Sequence, residues 1–124
     1  MKKILLAEDD TFIIDIYSTK LKEAGYDVEV AQDGEEVLRK LKEKKPDLLL
    51  LDIILPLLNG WEILKQIRES KDFDNLKDLA IIILSNTSQK EDIQKGKNFK
   101  VLKYIIKSDN TPSQVVEKIK EVLK

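Results

Sequence analysis

Residues 48–56 read Leu48-Leu49-Leu50-Leu51-Asp52-Ile53-Ile54-Leu55-Pro56. Four leucines in succession leave no polar face, which suits a strand buried on both sides, as in a parallel sheet covered by helices. Similar short runs, apolar on nearly every position, occur at Lys3–Ala7, Asp27–Ala31, Leu79–Leu84 and Val101–Ile106. Between the runs the apolar residues fall at helical spacing. Ile13, Ile14, Ile16, Tyr17 and Leu21 form one stripe, Val37, Leu38 and Leu41 a second, and Ile63, Leu64 and Ile67 a third. The last is Val115, Val116, Ile119, Val122 and Leu123.

Capping residues mark several boundaries. Asp33 is placed to cap the second helix, with Glu35 and Glu36 in the first turn where the helix dipole favours them. Thr111-Pro112-Ser113-Gln114 reads as a capping box with proline at the first helical position. The fourth helix, around Gln89–Asn98, has the weakest pattern, with only Ile93 and Phe99 expected to face inward. Ser70–Asp78 reads as a long polar connection. The alternation βαβαβαβαβα predicts an α/β fold: one doubly wound, five-stranded parallel sheet.

The chain has 124 residues, enough for one domain of roughly 100–150 residues with a core that needs no staples. It holds no Cys and no His. Disulfides, thiolate nucleophiles, imidazole bases and Cys/His zinc sites are therefore excluded. Any chemistry must run on carboxylates, hydroxyls, lysine, backbone amides and a hard cation such as Mg²⁺. No apolar run reaches the roughly 18 residues of a membrane span. Met1–Ala7 is too short and too quickly followed by acids to be a signal peptide, so a cytoplasmic location is expected.

The balance of 22 Lys+Arg against 23 Asp+Glu gives a net charge of −1, which argues against direct DNA binding. Residues 86–124 are the basic part, with nine Lys against five acids, so the first 85 residues carry −1 − 4 = −5. Only Arg39 and Arg68 are arginine. The sequence stops where the fifth helix ends, so residues 1–124 are expected to be a single domain with no output domain.

In an open parallel sheet, ligands sit beyond the carboxyl ends of the strands. The predicted strand ends are followed by Glu8-Asp9-Asp10, by Asp52, by Ser85-Asn86-Thr87 and by Lys107-Ser108. Converging carboxylates repel one another, and a hard divalent cation with oxygen ligands resolves this. Glu8, Asp9 and Asp52 give −3, Mg²⁺ gives +2 and Lys107 gives +1, a neutral site ready for a phosphoryl group. Taken singly, each residue has an ordinary explanation. Acids after a strand cap helices, Asp52 could cap the third helix, and Ser85 and Lys107 could be surface residues. Their coincidence at four strand ends favours the site.

With these residues in view, the sequence resembles the receiver (response-regulator) domain of two-component signalling over its whole length. The match runs through Ile4-Leu5-Leu6-Ala7-Glu8-Asp9-Asp10, Asp52-Ile53-Ile54-Leu55-Pro56 with Asn59-Gly60, Ile81-Ile82-Ile83-Leu84-Ser85 and Tyr104-Ile105-Ile106-Lys107. The resemblance implies a flavodoxin-like (βα)5 fold with strand order 2-1-3-4-5. It implies Asp52 as the nucleophile that becomes a phosphoaspartate. It further implies Glu8, Asp9, Asp52 and the Ile54 carbonyl as Mg²⁺ ligands, Ser85 and Lys107 as contacts of the phosphoryl group, and Ser85 with Tyr104 as the switch pair. The implied donor is a sensor histidine kinase or histidine phosphotransfer protein. The implied target is a protein docking on the fourth helix, fifth strand and fifth helix, with the chain a monomer or a phosphorylation-dependent homodimer. No membrane partner is expected.

Three departures from the family pattern carry expectations. Ser108 stands where a proline commonly follows the site lysine; a cis bond before serine costs about 3 kcal/mol, so a trans bond is expected, with a slightly altered aim for Lys107. Lys100 and Val101 replace a Gly-Ala pair, so an irregular end to the fourth helix is expected. Ile54 and Thr87 occupy the positions that tune hydrolysis, and Ile54 cannot hydrogen-bond water, so slow self-dephosphorylation is expected. Trp61 is expected to be a first-turn residue of the third helix whose fluorescence reports on the site. Rival readings are a receiver-like binding module, a flavodoxin-like cofactor binder and a paired-aspartate phosphatase. The intact set of five argues against the first. Three acids after strand one would repel a cofactor phosphate, and the phosphatase would need a second acid where Ile54 stands.

Overall fold

The computed structural model describes residues 1–87 and 89–123; Lys124, counted above in the basic region, lies outside them. Strands β1 (Lys3–Ala7), β2 (Asp27–Ala31), β3 (Leu48–Leu51), β4 (Ile81–Ser85) and β5 (Lys103–Ile106) are all parallel and pair in the order 2-1-3-4-5. The helices are α1 (Thr11–Glu23), α2 (Gly34–Glu43), α3 (Gly60–Glu69), α4 (Lys90–Asn98) and α5 (Pro112–Val122). The pleat sorts the strand residues onto two cores. Leu6, Leu50 and Ile82 face Tyr17 and Leu21 of α1 and Ile119 of α5. Leu5, Leu49 and Ile83 face Val37 of α2 and Ile63 and Ile67 of α3. All four leucines of β3 are fully buried, which is why that segment tolerates no polar face.

The predicted caps form. Asp33 accepts from the Glu36 amide, and Thr111 with Gln114 closes a reciprocal capping box. Asp52 does not cap α3; Asn59 does, accepting from the Glu62 amide at 3.1 Å. The fourth predicted strand begins two residues late, at Ile81, because the Leu79 amide closes a turn onto the Leu76 carbonyl at 3.0 Å. The fifth begins at Lys103 rather than Val101. Lys100 takes a left-handed φ of 60°, and the Val101 amide folds back to the Gly96 carbonyl. The end of α4 is therefore irregular, as Lys100 and Val101 led one to expect. The Ser70–Asp78 connection is less polar in space than in sequence. Lys71–Leu76 form 3₁₀ turns, kinked at Phe73, that bury Phe73 and Leu76.

One arginine secures this region. The Arg68 guanidinium, at the end of α3, donates to the carbonyls of Lys77 at 2.8 Å and Leu79 at 3.0 Å, and to that of Phe99 at 2.9 Å. It thereby joins the approach to β4 with the end of α4. A planar fork of donors suits several carbonyls at once in a way that a lysine does not. Burial pushes its guanidinium down, far from any point where it loses charge. No helix among the described residues is long and apolar enough to cross a membrane.

Candidate functional site

Strand order reverses between β1 and β3, the point at which doubly wound sheets open a crevice. Ala7 and Leu51 are register partners on these two strands, so the residues that follow them, Glu8 and Asp52, emerge side by side. The Asp52 amide donates to the Ala7 carbonyl at 3.0 Å and fixes that juxtaposition. Lys107 arrives from the end of β5. Its ammonium donates to Glu8 Oε1 at 2.6 Å and to Asp52 Oδ2 at 2.8 Å. The second oxygen of each carboxylate is held by backbone: Glu8 Oε2 accepts from the Asp9 and Asp10 amides, and Asp52 Oδ1 accepts from the Ile54 amide at 3.0 Å.

The loop after β3 is held by close backbone contact. A Cβ on Gly60 would stand 2.7 Å from Ile53 Cα and 3.1 Å from the Asp52 carbonyl oxygen. A Cβ on Gly34 would overlap the Leu58 carbonyl. Two glycines thus let α2 and the start of α3 press on the segment that carries Asp52.

Glu8 is 2% exposed and Asp52 8%. Burial pushes the Glu8 carboxyl above its usual range; Lys107 opposes this and the neighbouring Asp52 charge adds to it. For Lys107, burial works to lower the ammonium, but its hydrogen bonds to Asp52 and Glu8 outweigh that and hold it above its usual value. The lysine is therefore charged, and one positive charge stands against three carboxylates.

The structure brings most of the expected residues together. Glu8, Asp9, Asp52, Ile54 and Lys107 line one open pocket of about 200 Å³, with Asn86 and Ile13 completing it. Ser85 is wholly buried and does not line the pocket; its hydroxyl accepts from the Thr87 amide at 3.3 Å. Tyr104 is half-buried, and its hydroxyl donates to the Thr87 carbonyl at 3.0 Å. Burial raises the Tyr104 phenol; the Ser85 side chain opposes this, and the charges of Asp92 and Asp52 add to it. Asp10 reaches the pocket rim but serves as the N-cap of α1, accepting from Phe12 and Ile13. The Lys107–Ser108 bond is trans. Asn86 and Ile13 went unassigned in the sequence: Asn86 was marked only by standing beyond a strand end, and Ile13 looked like core. Thr87 was placed at a position that tunes hydrolysis, but not as the partner of Ser85 and Tyr104. Trp61 begins α3 as expected, and its ring stacks on Phe99 at 6.4 Å while Lys95 lies over its face at 5.0 Å.

Carboxylate oxygens of Glu8, Asp9 and Asp52 come within 4.8 Å of one another, close enough to hold a metal ion in common. The donors are hard oxygens, and Lys107 leaves the set at −3 + 1 = −2, so an oxygen-seeking dication fits both the chemistry and the charge.

A parallel sheet in the order 2-1-3-4-5 with an acidic cluster and a lysine at its switch point defines a receiver-type α/β domain. The sequence matches the response regulator receiver domain family over residues 4–120, and the chain belongs to that family of two-component signalling. It is 48% identical over 59 residues to the alkaline phosphatase synthesis transcriptional regulatory protein PhoP of Bacillus subtilis, covering 48% of this chain and 25% of PhoP. The chain thus spans about a quarter of the length of that relative. Among solved structures, it resembles a CheY-like receiver domain protein from Methanospirillum hungatei, with a TM-score of 0.86, 32% identity, and 99% and 94% of the two chains covered. It also resembles the Mn²⁺-bound form of response regulator Rcp1, with a TM-score of 0.85, 25% identity, and 98% and 93% covered.

Proposed function

We propose that the chain is the phosphoacceptor of a two-component relay, in which Asp52 takes a phosphoryl group from a phosphohistidine on a sensor kinase or phosphotransfer protein. The observation that carries this reading is the buried Asp52 carboxylate, paired at 2.8 Å with Lys107 beside two further acids. Glu8, Asp9 and Asp52, with the Ile54 carbonyl, would hold Mg²⁺; the Mn²⁺-bound relative supports a divalent ion there. Bound Mg²⁺ would neutralise the carboxylates and polarise a phosphoryl oxygen.

An Asp52 oxygen attacks phosphorus as the P–N bond to the donor imidazole breaks. The imidazole keeps the bonding pair and takes up a proton. The Lys107 ammonium turns from the carboxylates to a phosphoryl oxygen, and the Ser85 hydroxyl meets another. Tyr104 follows the Ser85 loop and transmits the change to the face formed by α4, β5 and α5, where a protein target docks or a second copy pairs. The chain acts as a signalling receiver and catalyses only its own phosphorylation and slow dephosphorylation. The Ile54 side chain, 71% exposed beside Asp52, offers no hydrogen bond to an attacking water. We place the domain in the cytoplasm, with no DNA contact of its own.

Incubation with acetyl phosphate and Mg²⁺, read by intact mass, tests the proposal. Wild type is expected to gain one phosphoryl group and Asp52→Asn none, with the adduct persisting after the donor is removed. A wild type that stays unmodified with the metal present would overturn the reading. Rapid loss of the adduct would overturn the role given to Ile54.

A further inference from the structure

Thr87 is the knot of the loop between β4 and α4. Its amide donates to the Ser85 hydroxyl at 3.3 Å, and its carbonyl accepts from the Tyr104 hydroxyl at 3.0 Å. Its own hydroxyl donates to Asp92 Oδ2 at 2.9 Å. Asp92 lies in the first turn of α4, a helix whose N-cap residue, Gln89, makes no side-chain cap hydrogen bond. The other end of α4 is fixed, since the Phe99 carbonyl accepts from Arg68 and the Phe99 ring stacks on Trp61. The helix is therefore anchored at its C-terminal end and tied to the site loop at its N-terminal end through Asp92.

Ser85 is fully buried and stands outside the pocket that holds Asp52. For its hydroxyl to meet a phosphoryl oxygen, the end of β4 must shift toward the pocket, and Thr87 must travel with it. The Asp92 carboxylate resists that shift by holding the Thr87 hydroxyl. We propose that Asp92 is a positioning residue for the reaction: through Thr87 it keeps Ser85 withdrawn, and the Thr87–Asp92 hydrogen bond opens before Ser85 can engage the phosphoryl group. The inference rests on the phosphoacceptor reading and adds to it the restraint that sets how often Ser85 is available.

A restraint on the resting state has a signature that a purely supporting contact lacks, because removing it accelerates the reaction instead of slowing it. If the competent arrangement is a minor population, freeing the loop raises the observed rate in proportion to that population. Asp92→Ala and Thr87→Val each break the hydrogen bond, whereas Asp92→Asn keeps an acceptor for the Thr87 hydroxyl. With acetyl phosphate and Mg²⁺, the first two should gain the phosphoryl group about fivefold faster than wild type, the scale set by one hydrogen bond to a partly exposed carboxylate. Asp92→Asn should stay within about twofold of wild type, and the double variant Asp92→Ala/Thr87→Val should be no faster than either single change, since both remove the same contact. Unchanged or slower phosphorylation in both single variants would overturn the inference, as would Asp92→Asn matching Asp92→Ala. A wild type that takes no phosphoryl group would instead bring down the phosphoacceptor reading itself, so the two failures are told apart.

Discussion

Helices α3 and α4 lie on the same face of the sheet and have about the same length, yet they are held in opposite ways. The first, α3, starts on an Asn59 cap and buries Gly60, Ile63, Leu64 and Ile67. The second, α4, has no side-chain cap at its start and buries only Gly96. The start of α3 supports the loop that carries Asp52, whereas α4 borders the loop that carries Ser85. The segment carrying Asp52 is thus built on the firm side of the molecule and the loop carrying Ser85 on the loose side, an uneven distribution of local stability from whose low end moving parts are drawn.

The glycines give the sharpest way to break this comparison. Alanine at Gly60 would drive a methyl into Ile53 and the Asp52 carbonyl, backbone that cannot swing aside, so Gly60→Ala should cost about 3 kcal/mol and blunt metal binding. Alanine at Gly96 would meet only side-chain ends of Val101, Ile83 and Tyr104 at 3.2–3.4 Å. Gly96→Ala should therefore stay within about 1 kcal/mol of wild type, helped by the better helix propensity of alanine. Urea unfolding of the two variants measures both, and equal losses would contradict the contrast.

The caps give a smaller effect of opposite sign at the two helices. Asn59→Ala should destabilise by about 1 kcal/mol, whereas Gln89→Asp, which supplies the missing cap, should stabilise α4 by up to about 1 kcal/mol. Amide exchange along α4 should slow in Gln89→Asp, most strongly in the first turn.

The smallest effect lies on the α3 side. The Lys45 ammonium sits 3.1 Å from Asp78 and, with its charge, holds that exposed carboxyl below its usual value of 3.8. A depressed carboxyl contributes stability above its usual pKa and loses it as pH falls through the lower folded value. The acid-side fall below about pH 4 should be slightly smaller in Lys45→Ala than in wild type, and the difference should shrink in high salt because the pair is at the surface.

How far the sequence foretold the structure follows from where the determining contacts are. Strands β1, β2 and β3 were readable to the residue because each apolar run stops at a polar or turn residue. The start of β4 was misread because Leu79 looks like strand and in fact closes a turn, a choice made by the Leu76 carbonyl. Phe73 and Leu76 were overlooked because two apolar residues among polar ones set up no period, and the core they join is supplied by other elements. The candidate site was legible in Glu8, Asp9, Asp52 and Lys107 since each follows a strand end. The withdrawn position of Ser85 was not, because it depends on Thr87, Asp92 and Tyr104 meeting from three elements. Arg68 left only one hint, that it is one of two arginines in a lysine-rich chain.

The lysine that bridges the acidic pair comes from the end of the last strand, 99 residues beyond Glu8 and 55 beyond Asp52. During folding, β1 and β3 can pair as soon as both exist, which sets two carboxylates side by side with no counter-charge. Desolvating such a pair is opposed by several kcal/mol, so the carboxyl end of the β1–β3 pair should remain wet and open until β5 docks. In a growing chain, then, the Glu8–Asp52 pair should lack its lysine partner until β5 has been made.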